Sequence, residues 1–354
     1  MNIKTTILGL LLAISFGAFA QIPPNYYDSA IGLRQDAMKM ALHNIIKNHT
    51  SISYAQIWTS CQTTDKKVNG KVWDMYSDIP SGTPPYEFTF VSDQCGNYGI
   101  EGDCYNREHS FPKSWFNEVL PMNTDIFHIY PTDGKVNGWR SNYPYGEVSN
   151  PTVTTLNGSK LGPNTTAGYS GTVFEPIDEY KGDFARTYFY MATRYYTEDG
   201  SWPGSDMVDG AEPLPWALMM LYQWHLQDSV SQKEIDRNNA VYGIQNNRNP
   251  FIDHPEWVDS VWFDDTSIEG LNEQTIASVY PNPASNLIDL SISGINSRAW
   301  NVTIYNLQGK LLQTKSFTAN MTQLQISELS AGMYILQLRS EDNTIFKNLK
   351  VIKE

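Results

Sequence analysis

Residues 104–116 read CYNREHSFPKSWF, with an acid and an imidazole side by side at Glu108 and His109 and a guanidinium before them at Arg107. An imidazole with an ordinary pKa near ~6.5 takes up a proton at neutral pH, so it can serve as the general base of a hydrolytic site. Further on, residues 125–146 read DIFHIYPTDGKVNGWRSNYPYG. If Thr132 or Asp133 opens a short helix, Asp133, Asn137 and Arg140 fall at i, i+4 and i+7, on one face. Two oxygen-bearing side chains and a guanidinium then look the same way, and hard oxygens suit a cation such as magnesium. Gly134 and Gly138 are poor helix formers. Such a helix needs tertiary support, and taken alone the stretch reads rather as a polar turn in a loop.

The surrounding elements must bring these groups together. Adjacent side chains on an extended strand point to opposite faces, so Glu108 and His109 share a site only where the strand ends or bends, which Pro112 permits. Ile126–Tyr130 reads as a short extended piece stopped by Pro131. From Tyr26 to about Trp262 the chain reads as helices joined by loops. SQKEIDRNNAVYGI opens with Ser231 and Glu234 in capping-box register. DFARTYFYMATRYY sets Phe184, Tyr188, Met191 and Tyr195 on one face, with Asp183 in position to cap. LPWALMMLYQWHLQ is apolar nearly all round and reads as a buried helix. Residues 134–173 are loop-like, rich in Gly, Asn, Pro, Ser and Thr. Of the six histidines, His43, His49 and His225 read as structural.

The first twenty residues, MNIKTTILGLLLAISFGAFA, carry a lysine, an apolar run from Ile7 to Phe19 and a small-x-small ending. That is the pattern of a secretory signal cleaved after Ala20, and the run is short of the roughly 20 residues a bilayer requires. The chain has 354 residues, 41% of them hydrophobic and 13% aromatic, enough for a sizeable core. Among its three cysteines, Cys95 and Cys104 bracket a Gly-rich segment and are the likelier pair, leaving Cys61 over. No cysteine has a second one within zinc-ligand spacing. A net charge of −13 argues against a broad basic surface for gripping nucleic acid. It leaves room for a small local site: across residues 105–140, Arg107, Lys113, Lys135 and Arg140 balance Glu108, Glu118, Asp125 and Asp133.

After Gly270 the pattern changes to short alternating runs at 287–292, 301–307, 311–317, 322–327, 332–339 and 344–352. Gln308-Gly309, Ser330-Ala331-Gly332 and Asp342-Asn343 give turn signals between them. The spacing predicts a small antiparallel, Ig-like sandwich. It holds neither histidine nor cysteine, so the chemistry is expected elsewhere. VYPNPASNLIDLSI, YNLQGKLL and LSAGMYILQL, in that order, resemble the C-terminal sorting domain of the type IX secretion system. The resemblance implies delivery to the outer membrane by that machinery, with the product secreted or attached to the cell surface. A carbohydrate- or protein-binding module is the alternative, and no aromatic platform supports it.

REHSFPKSWF, DIFHIYPTDGKVNGWRSNYPYGEV, FEPIDEYKGDFARTYFYMATRYY and NRNPFIDHPEWV resemble, in order, the bacterial endonuclease I family. These are secreted nucleases of the ββα-metal (His-Me finger) class. The resemblance covers most of residues 26–260. It implies cleavage of DNA, and often RNA, with little sequence preference, through one divalent metal, usually Mg2+ with Mn2+ or Ca2+ as alternatives, giving 5′-phosphates. Carried over by motif, His109 matches the general base and Glu108 and Asn137 the metal ligands. Arg140 either contacts the scissile phosphate or braces the helix. His128 matches a family histidine and is expected to pack behind the metal helix; Asn123 and Asn142 are further candidates, and Asn249 and His254 are expected to be structural. This chain has Asn123 and Thr124 where some relatives carry an acid before the DIFH phrase. It also lacks their arginine-bearing, cysteine-rich insertion.

The expected fold is therefore α+β. A signal occupies residues 1–20, a mainly helical nuclease domain with a ββα-metal motif residues 21–270, and an all-β sorting domain residues 271–354. The expected protein is monomeric. A surface-anchored adhesion protein with an inactive nuclease-like domain is the competing reading. A zinc hydrolase is another, though the chain holds no H-E-x-x-H motif.

Overall fold

The computed structural model describes residues 22–263, 277–292, 299–307, 310–318, 321–340 and 346–354. The expected signal, its cleavage point, the 270/271 boundary and the turns at 308–309 and 342–343 lie outside them. Two helices, α1 (Gln35–Ile46) and α2 (Gln56–Thr64), precede a long irregular stretch that ends in strand β1 (Tyr105–His109). Strand β2 (Ile129–Asp133) pairs with β1 antiparallel and runs directly into α3 (Gly134–Arg140).

Pro131 does not stop the extended piece; it lies within β2, opposite Arg107. The ladder bonds Gly134 N–H to Cys104 O and Ser110 N–H to His128 O place the hydrogen-bonded pairs at even β1 positions. Arg107 and Pro131 form a non-hydrogen-bonded pair, where a missing N–H costs no ladder bond. A 3-10 turn over Ile126–His128, capped by the Asp125 carboxylate on Phe127 N–H, occupies the start of the segment expected to be extended.

The loop-like segment holds more structure than its composition suggests. Strands β3 (Val153–Thr154), β4 (Lys160–Pro163) and β5 (Thr172–Glu175) form a small antiparallel sheet there. The strands are too short for an alternating pattern to stand out from their turn residues, among them Gly158 at φ 103°.

Helix α4 (Lys181–Arg194) is the axis of the domain, and all of its residues are buried. Phe184, Tyr188 and Met191 do line up, but Phe189 and Tyr190 on other sides are equally sealed. Asp183 does not cap: the helix starts at Lys181, because a 3-10 turn over Asp178–Tyr180 feeds straight into it. A short hairpin, β6 (Val208–Asp209) with β7 (Glu212–Pro213), precedes α5 (Pro215–Gln227), which is buried along most of its length. Then follow α6 (Gln232–Gln245), α7 (Pro250–Asp253) and α8 (Trp257–Trp262). Helices α1, α5 and α7 pack on α4. The Ser231–Glu234 capping box is present, and Glu234 also receives Arg186 Nη2 at 2.9 Å, tying α6 to the axis.

Beyond residue 276, β8 (Ala277–Tyr280), β9 (Leu287–Ile292), β10 (Trp300–Asn306), β11 (Leu311–Phe317), β12 (Met321–Gln325), β13 (Gly332–Ser340) and β14 (Phe346–Lys353) follow. They form two antiparallel sheets, ordered β12-β9-β8 and β11-β10-β13-β14. Ile288 and Leu290 from one sheet meet Val302, Ile304, Leu336 and Leu338 from the other in a single core. Strand β8 is an addition to the runs read from sequence. No helix among the described residues is long and apolar enough to cross a membrane.

His225 on α5 is buried, its Nε2 facing the Pro255 carbonyl at 3.1 Å. Burial first, and then Arg186, lowers its pKa to about 4. Between about 6.5 and 4 the unfolded chain takes up a proton that the folded ring refuses, so acidification through that window lowers stability. His225→Gln is expected to remove a loss on the order of 3 kcal/mol between those limits. Urea unfolding at pH 7 and pH 4.5 checks it: the variant should lose less stability on acidification than the parent.

Candidate active site

The two ends of β1 are fixed differently. At its start, the Cys95–Cys104 disulfide closes a loop whose Tyr98 lies flat against α3. A Cβ built on Gly134 would come within 2.6 Å of the Tyr98 ring, and one on Gly138 within 2.5 Å of its hydroxyl. The two glycines that make α3 a poor helix by propensity thus let an aromatic ring seat on it. Cys61 is free and buried.

At the end of β1, side-chain alternation separates the two neighbours. Glu108 faces α3: its Oε1 accepts from the Tyr76 hydroxyl at 2.9 Å and lies 3.3 Å from Arg140 Nη1. Burial pushes its carboxyl up to about 7, against the opposing pull of Arg140 and Tyr76. Its Oε2 makes no hydrogen bond among the described residues and is not sealed from solvent. Asn106, two residues earlier on the same face, accepts from Asn137 Nδ2 at 2.7 Å. That bond turns the Asn137 amide so that Oδ1 is left unengaged.

His109 lies against Tyr54, in a stack with centroids 5.9 Å apart, and against His128 at 5.3 Å. Its Nε2 is 3.2 Å from the Asn123 carbonyl. A carbonyl only accepts, so Nε2 carries the proton and Nδ1 is the free lone pair. Burial, and after it the His128 ring, holds the imidazole well below its ordinary pKa, which keeps it neutral and ready to accept.

The remaining candidates fall into place around this pair. Asp133 is the N-cap of α3, its Oδ1 accepting Val136 N–H at 2.8 Å and its Oδ2 accepting Gly102 N–H at 2.7 Å. Both of its oxygens are thereby engaged. Arg140 is fully buried: Nη2 donates to Ser110 O at 2.6 Å and Nη1 to His109 O at 3.1 Å, with Tyr145 beneath the guanidinium. In this geometry the guanidinium braces the end of β1 against α3. His128 packs against His109 and Phe116, with Nε2 2.7 Å from Met122 O. Asn123 meets His109 with its main-chain carbonyl. Asn142 is exposed beside Ser114, on an open cavity of about 860 Å3. Asn249 caps α7, and His254 stacks on Trp257.

Comparison with known proteins decides the family. The Endonuclease I family model matches residues 35–256, and the model of the secretion system C-terminal sorting domain matches residues 278–354. The chain belongs to the endonuclease I family. It is similar to an extracellular ribonuclease of Bacillus amyloliquefaciens, 37% identical over 248 residues that cover 67% of this chain and 78% of the relative. An extracellular ribonuclease of Bacillus subtilis is 35% identical over 244 residues, with the same coverage of 67% and 78%. Endonuclease-1 of Buchnera aphidicola subsp. Baizongia pistaciae is 28% identical over 132 residues, 37% of this chain and 46% of that one.

This endonuclease I family member is a nuclease whose C-terminal region is a sorting domain, and together these indicate secretion or export to the cell surface. Nucleases of the family depend in general on a divalent metal. The donors present fit a hard cation that keeps several waters: the unengaged Glu108 Oε2 and Asn137 Oδ1 are carboxylate and amide oxygens. Sequence reasoning missed Tyr76, Tyr98 and Asp74, whose Oδ2 accepts Asp133 N–H at 2.9 Å. All three come from the irregular stretch before β1, which has no periodic signal. Asn106 was within reach, because strand alternation puts it on the face of Glu108.

Two substitutions test these supports. Arg140→Met takes the donor from the His109 carbonyl, leaves the Ser110 carbonyl with Tyr188 alone and leaves Glu108 without its cation, so a loss of about 3–5 kcal/mol is expected in chemical denaturation. Gly134→Ala adds a methyl against the Tyr98 ring, and despite a helix-propensity gain near ~1 kcal/mol the overpacking term of about 1–3 kcal/mol is expected to win. Tyr98→Ala in the same background should turn the alanine from a liability into a gain, read from the unfolding midpoints.

Proposed function

We propose that the protein is an exported, divalent-metal-dependent endonuclease. In this reading it hydrolyses the phosphodiester backbone of DNA and RNA without sequence preference and leaves 5′-phosphates. One observation carries the proposal: the His109 ring, kept neutral by burial, turns Nε2–H to the Asn123 carbonyl and leaves Nδ1 free, at the end of the strand that also bears Glu108. Strands β1 and β2 with helix α3 then form the ββα-metal unit. Residues 21–270 make up the catalytic domain, and residues 271–354 the sorting domain read by type IX secretion machinery. The signal over residues 1–20 is removed after Ala20, and the enzyme acts as a monomer.

Glu108 and Asn137 would hold one Mg2+, with Mn2+ or Ca2+ able to substitute. When bound, the cation supplies positive charge against the non-bridging and leaving oxygens of the phosphodiester. The protein's own part is proton transfer and positioning. His109 Nδ1 takes a proton from water as the water oxygen bonds to phosphorus. The bond from phosphorus to the 3′-oxygen breaks, the phosphate stays on the 5′ side, and solvent protonates the leaving alkoxide. The Asn123 carbonyl faces the imidazolium N–H throughout, and Arg140 keeps the end of β1 in register with α3. Because the nucleophile is water and not a ribose 2′-hydroxyl, the same centre serves DNA and RNA. The names of the Bacillus relatives support RNA as a substrate.

The test uses protein lacking residues 1–20, with plasmid and single-stranded RNA as substrates. Magnesium should support cleavage of both, and chelator should stop it. His109→Ala is expected to lower turnover by about 10²–10⁴, with the far-ultraviolet circular dichroism unchanged. An alanine variant as active as the parent, or RNA products ending in 2′,3′-cyclic phosphate, would remove this mechanism.

A further inference from the structure

Alternation along β1 puts Arg107 on the face of His109, away from Glu108. The contacts agree. The Arg107 guanidinium carbon lies 3.7 Å from the centroid of Tyr54, the ring that stacks on His109, and 4.4 Å from that of Trp58 on α2. The guanidinium is half-buried, and its one hydrogen bond among the described residues runs from Nη1 to the Tyr54 carbonyl at 2.7 Å.

What sets it apart is the missing anion. Arg140, Arg186, Arg194, Arg237 and Arg248 each lie in an ion pair with a carboxylate, at 3.3, 2.5, 3.1, 2.7 and 2.6 Å respectively. Arg107 has no carboxylate within ion-pair distance among the described residues, in a chain of net charge −13. A half-buried cation between two aromatic faces loses hydration and gains only part of it back from the rings. Its face is covered, but its Nε and Nη2 edge makes no hydrogen bond among the described residues and is not sealed from solvent. That edge is the bidentate fork that fits two oxygens of one phosphate. A second cation, Lys113 Nζ, stands 5.9 Å from the same Tyr54 ring.

We propose that Arg107, mounted between Tyr54 and Trp58, binds a backbone phosphate of the nucleic acid being cut and holds the strand in register against His109. The proposal rests on the nuclease reading above and adds a substrate-positioning residue to it. Lys113, already paired with Glu118 at 3.2 Å, adds at most a weaker charge to the same strand.

Binding measured without metal separates this inference from the chemistry, because a failure of the His109 mechanism does not alter it. Fluorescent 16-nucleotide single strands of DNA and RNA are titrated in chelator at several salt concentrations. Arg107→Met keeps the apolar stem between the two rings and removes the fork. It is expected to weaken binding about ten-fold near 0.1 M salt and to flatten the log Kd against log salt slope by about 0.7, the share of one phosphate on a single strand. With metal restored, KM should rise while the unfolding midpoint stays near that of the parent. A merely structural arginine would lower the midpoint and leave the salt slope alone, and that outcome overturns the proposal, as does unchanged binding. If Arg107→Met does not fold, Arg107→Lys decides. Binding a few-fold weaker with the slope retained supports the clamp, and parental affinity overturns it.

Discussion

A guanidinium sealed from water ties the last residues of β1 to the last turn of α3. Arg140 donates to the main-chain carbonyls at 109 and 110 and faces the Glu108 carboxylate, with the Tyr145 ring beneath it. Each of these groups would be costly to leave alone in a dry interior, and both Nη atoms of the guanidinium find acceptors among them. The consequence is geometric. Glu108 and Asn137 sit on separate elements, and the proposed cation site requires their separation to stay fixed. The bond from Asn137 to Asn106 fixes the other point of contact between strand and helix. Side chains mounted on elements locked at two points stay in place without help from a loop.

The support extends outward in layers. The Tyr98 loop, closed by a disulfide, lies on the glycine face of α3, and Asp74 receives the backbone N–H of Asp133 where the helix begins. Tyr188, from the central helix α4, donates to the same Ser110 carbonyl that Arg140 holds. The aromatic core around α4 is therefore continuous with the site. A disulfide within the support suits a protein sorted for export, since exported compartments are where such bonds persist.

A strongly acidic nuclease is a coherent object on these terms. Affinity for nucleic acid scales with the number of phosphates neutralised, and an enzyme that must release its products gains nothing from a wide basic face. Most arginines of the catalytic domain are occupied internally by carboxylates. Arg107, for which no carboxylate lies within ion-pair distance among the described residues, stands over the ring that packs on His109.

Much of this was legible before any coordinates. The capping box at Ser231, the buried α5, the Cys95–Cys104 pair and the strands at 287–292 and 311–317 follow from local rules, and the structure has them. Local rules failed where a long-range partner overrode them. Pro131 stays in a strand because it lies at a non-hydrogen-bonded position, and Gly134 and Gly138 stay in a helix because Tyr98 fills the space a Cβ would take. The sequence by itself determined which groups are available for chemistry, since a motif names residue types and their order. Only the tertiary structure decided what each one does. Arg140 was buried across the end of β1, Asn123 turned its carbonyl to His109, and Arg107 was left without a paired acid among the described residues. Burial and hydrogen-bond partners come from segments far apart in the chain, and no local pattern encodes them.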